Sequence, residues 1–361
     1  MDEFQIMEPC HATDLVYFRK RIGKEGMKVI FSMSVGLHGK AAQEKQVIID
    51  TTVQENNITY PTDGKLAIKI INHLHKTAKR EDIQLRRTYI KELKGHRISL
   101  RFFRHPRKRK KARAAMKRLK TIAKTLIRDM DRQFNDEQHK KYAQDFYLYM
   151  RVLLQERKSK NKIYSLHEDH AYAVGKGKDH KQWEYGTKAS IVTTKNSNVI
   201  IGVCAHDTNE HDSKTLDAAL TSAISNRTKP IIEALCDRGY RGRKEVLDVQ
   251  ISIPGTVLKR DSKYQKEVKR EKFRRRAAIE PVIGHLKSDH RMQRNYLKGF
   301  IGDEINLLLA ASAFNLKKWM NNFLRLLILV RIALLVTALQ QQKTKKREEY
   351  IHIYLLILRV W

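Results

Sequence analysis

Three carboxylates are placed where they could do chemistry together. Asp50 lies toward the C-terminal half of "QVIIDTTV" (Gln46–Val53), a β-branched, apolar run of the buried-strand type. Asp237 ends a second such run within "PIIEALCDRGY" (Pro230–Tyr240), which Gly239 closes. Glu280 is the single acid of "RRRAAIEPVIGHLK" (Arg274–Lys287), set among cations and next to Pro281. Acids held on strand ends and a facing helix supply the oxygen ligands that Mg²⁺ or Mn²⁺ requires. Two such ions astride a phosphodiester activate the attacking oxygen and stabilise the leaving one. Each acid also has an ordinary reading. Asp50 serves equally as a turn or edge acid, Asp237 as a turn acid paired with Arg238 or Arg241, and Glu280 as the i,i+4 partner of Arg276.

The composition favours the joint reading. The 361 residues carry 73 Lys+Arg against 39 Asp+Glu, a formal charge of +34. A field of this size calls for a polyanion, and nucleic acid is the expected partner because each phosphate contact releases condensed counterions. The competing class is a generically basic ribosomal or membrane-surface protein, which has no use for acids at strand ends. Between Arg101 and Arg128 there are 13 Lys/Arg and no acid, so intrahelical pairs cannot offset the repulsion. That run is expected to track phosphates, through Arg107, Arg109, Lys110, Lys111 and Arg113. Lys287, two turns beyond Glu280 on the same face, and Arg291, one turn further, are candidate DNA contacts, as is Arg276. A solvated Lys287 is an equal alternative. Tyr240 is either a base-stacking ring or packing.

Cys10, Cys204 and Cys236 stand far apart with no C-x-x-C, which argues against a zinc ribbon and a disulfide framework. The histidine pairs His206/His211 and His285/His290 lack a cysteine partner. No signal-peptide core is visible at the start. "FLRLLILVRIALLVTAL" (Phe323–Leu339) is apolar but short for a membrane span and contains Arg325 and Arg331. It is expected to be a buried or docking helix in a soluble, intracellular protein.

The elements that must position the acids follow from periodicity. Residues 1–45 are helical and loop-like, broken at Gly23. Gln46–Val53 is a strand. From about Leu66 to Lys160 the pattern is helical, with a seam at Met116, Leu119, Ala123, Leu126 and Met130. Gly175–Gln182 is expected to be a flexible loop. Trp183–Thr194 and Asn198–His206 form a hairpin, and His211–Ser225 is a helix. Pro230–Tyr240 is a strand, "GRKEVLDVQ" a short helix, "ISIPG" a short strand, Lys263 to about Arg291 a helix, and Gly299–Met320 another with Asp303 near its N-cap. This order gives an α/β fold, a mixed sheet with helices on its faces.

Several blocks together resemble the bacterial DDE-type insertion-sequence transposases of the IS-five-like group. They are "IIDTTVQENNITYPTDGKL" (Ile48–Leu66), "YSLHEDHAYAVGKGKDHKQWEYGTKASIVTT" (Tyr164–Thr194), "CDRGYRG" (Cys236–Gly242), "RRRAAIEPVIGHLKSDHRMQRNYLKG" (Arg274–Gly299) and "GDEINLLLAASAFNLKKW" (Gly302–Trp319). The resemblance runs from about Phe4 to Trp319. It implies a ribonuclease H-like catalytic domain (46–60 and 161–320) with a basic helical insertion after the first strand (61–160), preceded by a helical remnant (1–45) and followed by an apolar helix and irregular tail (321–361). In that fold the first acid lies on the first strand, the second after the fourth, and the third on a following helix. The implied metal ligands are Asp50, Asp237 and Glu280, holding two Mg²⁺ or Mn²⁺ ions. Asp207, Asp212 and Asp169 are alternatives for the first acid. Asp50 is preferred because a buried strand leads into it, and Asp212 suits a helix cap through the amides of Ser213 and Lys214. Glu184 faces either the site or solvent. The implied partners are DNA, as the element's terminal inverted repeats and its target, and a second protomer, in the bacterial cytoplasm at the nucleoid.

The chain departs from the group in two respects. It begins at the block "FQIMEPC", without the N-terminal region that recognises element ends, and "QQQKTKKREEYIHIYLLILRVW" is unlike the group's usual ending. A truncated, inactive DNA-binding remnant is therefore the alternative expectation. A structure-selective nuclease of the same fold and a basic ribosome-associated protein are further rivals.

Overall fold

The computed structural model describes residues 10–156, 158–178, 181–255 and 260–358. Helix α1 (Ala12–Gly36) is capped by the His11 side chain and interrupted at Gly23, whose φ of 59° lies in the left-handed region. Strand β1 (Gln46–Glu55) follows. Four helices come next: α2 (Asp63–Arg80), α3 (Ile90–Leu100), α4 (Arg109–Asp131) and α5 (Asp136–Leu154). Caps fix two of their starts, Thr62 accepting from the Lys65 amide and Asn135 forming a capping box with Gln138. Then come β2 (Tyr172–Lys178), β3 (Lys181–Thr194), β4 (Ile200–His206), α6 (Leu216–Ile224), β5 (Glu233–Leu235), β6 (Glu245–Val246) and β7 (Val249–Ser252). Helices α7 (Lys263–Arg274), α8 (Ile279–Ser288) and α9 (Gly299–Leu358) end the described chain.

The strands form one mixed sheet, in which β1 lies between antiparallel β3 and parallel β5. β3 is long enough to pair with β2 through its first half and β4 through its second. β5 continues to parallel β7, which pairs with β6. The central position of β1 explains its sequence. Val47, Ile48 and Ile49 are all fully buried, as a strand covered on both faces demands. The main apolar core joins these residues to α6, α8 and the first turns of α9. A second cluster joins α2, α4 and α5 through Leu74, Leu119, Leu126 and Tyr149. Of the seam expected on α4, Leu119, Ala123, Leu126 and Met130 are buried and Met116 is half-buried.

Several local expectations differ from what forms. Gly175–Lys178, expected in a loop, belongs to β2, an edge strand whose glycines and lysines hide its pattern. "GRKEVLDVQ" is not a helix. Leu247 and Asp248 take φ of 51° and 60°, and the chain turns back as the β6–β7 hairpin. The strand expected from Pro230 is only three residues long, and Asp237 lies beyond it, capping a 3₁₀ turn at Arg238–Tyr240. The helix expected from Lys263 to Arg291 is divided by a 3₁₀ turn at Arg275–Ala278 and ends at Ser288. Pro281 occupies the third position of α8, where its missing N–H costs nothing. Helix α9 runs past the expected tail boundary, because no glycine or proline follows Gly302. Phe323–Ile332 and Leu334, expected to be buried or docked, are exposed on it. Among the described residues no helix is long and apolar enough to cross a membrane.

Candidate active site

The β1–β5 register builds the centre of the site. Ile48 is level with Leu235 in a parallel pair, so two further residues bring Asp50, midway along β1, near Asp237, just past the end of β5. Adjacent strands lie about 4.8 Å apart, which sets two carboxylates side by side. One cation serves both. Arg276, in the 3₁₀ turn ahead of α8, places a guanidinium nitrogen 3.5 Å from the Asp50 carboxylate and 4.0 Å from that of Asp237. Asp50 also accepts from the Thr51 amide at 2.8 Å, and Asp237 from the Gly239 amide at 2.8 Å. Burial pushes the Asp50 carboxyl up to about 6, Arg276 and the Thr51 amide pull it down, and Asp237 and Asp212 push it up.

Asp212 is a third carboxylate at this place. It does not cap its helix, a role taken by His211, whose ring accepts from the Ser213 amide. Instead its Oδ1 accepts from Thr51 Oγ1 at 3.0 Å and pairs with Lys188 Nζ at 3.0 Å. Gly239 allows the approach: a Cβ there would stand 2.9 Å from an Asp237 oxygen and 3.2 Å from an Asp212 oxygen. Asp50, Asp212, Asp237 and Lys188 line one cavity of about 530 Å³.

Glu280 lies in the first turn of α8, whose Ile279, Val282 and Leu286 pack into the core that contains β1. It is exposed and forms no ion pair with a described residue. Its expected alternative partner, Arg276, is turned to the two aspartates instead. Lys287 points back to the sheet, 3.9 Å from Glu184, which also faces Lys176 at 3.7 Å. Arg291 is beyond the end of α8, exposed, with a φ of 57°. Arg107, Arg109, Lys110, Lys111 and Arg113 are all exposed, at or just before the start of α4 and away from the carboxylates in sequence and element. Tyr240 is fully buried, so it packs and cannot stack on a base.

The donor chemistry suits a hard cation. Asp50 and Asp237 converge closely enough to share one positive group, and that group is now a guanidinium. Among the described residues, no three His, Cys, Asp or Glu side chains are grouped as a metal would need. Glu280 is thus near the pair along the chain, one turn past Arg276, without closing a three-ligand cage.

Comparison with known proteins bears on this arrangement. Residues 160–316 match the transposase DDE domain family. The matched DDE segment contains Asp237, Arg276 and Glu280 and leaves β1, with Asp50, outside it. An uncharacterized protein of Rhizobium meliloti, ORF8 in the nfe locus, is 35% identical over 109 residues, 29% of this chain. The chain spans about half the length of that relative, 53%. No solved structure matches.

Proposed function

We propose that the protein is a DNA transposase that cuts at the ends of an insertion sequence and joins the freed 3′ end to target DNA. The observation that carries this reading is the meeting of Asp50 and Asp237 on one cation, immediately ahead of the helix that bears Glu280. The ribonuclease H-like reading draws support from strand order. Asp50 is on the first strand, which is central, and with the edge strand β2 set aside Asp237 follows the fourth.

In this reading Asp50 and Asp237, joined by Glu280, would hold two Mg²⁺ or Mn²⁺ ions, which would supply positive charge to the phosphodiester exchange. The chain's own residues bind and orient. The three acids present oxygen on rigid elements, and Asp212, tethered by Lys188 and Thr51, adds negative charge to the same wall. Arg276 keeps Asp50 and Asp237 together in the resting protein. Residues 61–160, with the exposed cations of α4, form a phosphate-binding unit attached after the first strand. Lys287 and Arg291 lie beyond Glu280 to meet the DNA end. Two protomers pair the two ends, and the protein acts at the nucleoid. No covalent protein–DNA intermediate is needed.

The test is cleavage of DNA carrying the sequences that flank the gene on both sides, followed by strand transfer. The wild-type protein is expected to release and join the 3′ end only with Mg²⁺ or Mn²⁺. Asp237→Ala should lose at least roughly 100-fold in rate, since even outer-shell groups around a metal carry 10–100-fold. Cutting without joining would indicate a nuclease. Binding without cleavage by either version would indicate a DNA-binding remnant.

A further inference from the structure

A second cavity, of about 750 Å³, opens at the C-terminal end of β1, past Asp50 along the strand. Four separate stretches build it: Asn56 and Tyr60 after β1, Trp183 and Tyr185 on β3, Arg294 and Tyr296 after α8, and Arg104 from the turn before α4. Aromatic rings dominate its rim, and they are left open to water. Tyr60 is 57% exposed, Trp183 47% and Tyr296 63%. Tyr60 and Trp183 are nevertheless braced. Tyr60 meets Tyr185 edge-on, with centroids 5.5 Å apart, and Tyr164 supports Tyr185 at 5.2 Å. The Trp183 ring lies over Gly175 of β2, within 3.5 Å of where a Cβ would stand.

The polar groups are equally specific. Arg294 donates through Nη2 to the Ile58 carbonyl at 3.1 Å, which orients its guanidinium, and neither it nor Arg104 forms an ion pair with a described residue. One acid, Glu55, also lines the wall. Asn56 is buried and donates through Nδ2 to Asp303 at 2.8 Å, while its Oδ1 has no hydrogen-bond partner. Flat π faces at half exposure and two arginines suit a planar aromatic ligand that carries a phosphate. Within a duplex the faces of a base are covered by its neighbours, so only an unpaired one can offer them.

We infer that this cavity binds an unpaired nucleotide of the DNA strand, its base stacked on Trp183 and Tyr296 and its phosphate met by Arg104 and Arg294. The inference rests on the DNA-cutting reading above and extends it to a place. Asn56 is six residues along from Asp50. At about 3.3 Å per residue that is about 20 Å, or about six nucleotides at ~3.4 Å each. The unpaired nucleotide therefore lies on the order of six positions from the bond that is cut.

The experiment is a metal-free binding titration, by fluorescence anisotropy, of the full chain with two probes. One is a blunt duplex of mixed sequence, and the other is the same duplex with unpaired thymidines at one 3′ end. The wild-type protein should prefer the second. Trp183→Ala and Tyr296→Ala should each reduce that preference, on the order of tenfold, and leave blunt-duplex affinity unchanged. Trp183→Phe should retain most of it. Equal losses on both probes, or no loss on either, would overturn the inference. In the wild-type protein, 2-aminopurine placed in the unpaired run should be quenched by stacking, and unchanged emission would also overturn it. Failure of the transposase reading registers separately, as loss of metal-dependent cleavage while the preference for unpaired ends persists.

Discussion

At the scale of single residues, the site is a problem of like charges that one arginine solves. Asp50, Asp237 and Asp212 gather on one wall, and burial acts with the other two carboxylates to push the Asp50 carboxyl up to about 6. Arg276 reaches two of the three, at distances set by its own position in the 3₁₀ turn before α8. It competes with any other cation for the same oxygens. Arg276→Gln should therefore destabilise the metal-free protein, by about 1–3 kcal/mol, between the exposed and buried limits for an ion pair. The same change should enlarge the rise in melting temperature that Mg²⁺ or Mn²⁺ produces, because the competitor is gone and binding to the native state stabilises by mass action. Thermal unfolding with and without metal, for the wild type, Arg276→Gln and Asp50→Asn, measures both effects. A metal-induced rise no larger in Arg276→Gln than in the wild type would remove Arg276 from the site.

At the scale of elements, what was legible in the sequence is what a short window encodes. Strand β1 showed itself by consecutive β-branched residues, the β3–β4 hairpin by alternation and a short turn, and α4 by its apolar stripe. What a window cannot encode is register. Asp212 joins the site because β1, β3 and the turn after β5 converge, and nothing in its spacing separates it from a helix cap. Arg276 resembles one more cation in a basic run until α8 packs on β1 and turns it inward. The hairpin at Leu247–Asp248 was hidden because leucine rarely takes a left-handed backbone and no glycine or asparagine marks the turn. Helix α4 is the element where the sequence was most informative, since one face is buried and the other exposes Arg109, Lys110, Lys111 and Arg113. Replacing these four by alanine should leave the fold intact, because alanine favours helix and no core contact is lost. It should lower the slope of log K against log salt for DNA binding by about 0.9 for each phosphate contact removed. A salt titration of both proteins checks this, and an unchanged slope would place the DNA elsewhere.

At the scale of the whole molecule, a buried polar hub ties the sheet to the helices around the site. Asp303, fully buried in the first turns of α9, accepts from Asn56 at 2.8 Å, Asn295 at 2.6 Å and His170 at 2.8 Å, and also from Thr187. Glu168, also buried, lies 3.6 Å from the other side of His170 and accepts from the Gly299 amide at 3.0 Å. The hub thus joins the end of β1, β3, the segment ahead of β2 and the segment leading into α9. The Asp303 hydrogen bond raises the His170 pKa, with further help from the charges of Asp303, Glu168 and Asp169, against burial. A raised histidine stabilises the fold fully below its unfolded value of about 6.5, and the contribution is lost as pH rises through the folded value. Asp50 acts in a lower window, between 3.8 and about 6. Urea unfolding should therefore show wild-type stability falling above about pH 6.5, with His170→Gln much flatter over that range. Asp303→Asn, which turns a donor toward groups that need an acceptor, should cost about 3–5 kcal/mol, the range for breaking a buried charge pair. Parallel pH curves for the wild type and His170→Gln would mean that His170 is neutral in the fold and that the hub is held by its amides and hydroxyl alone.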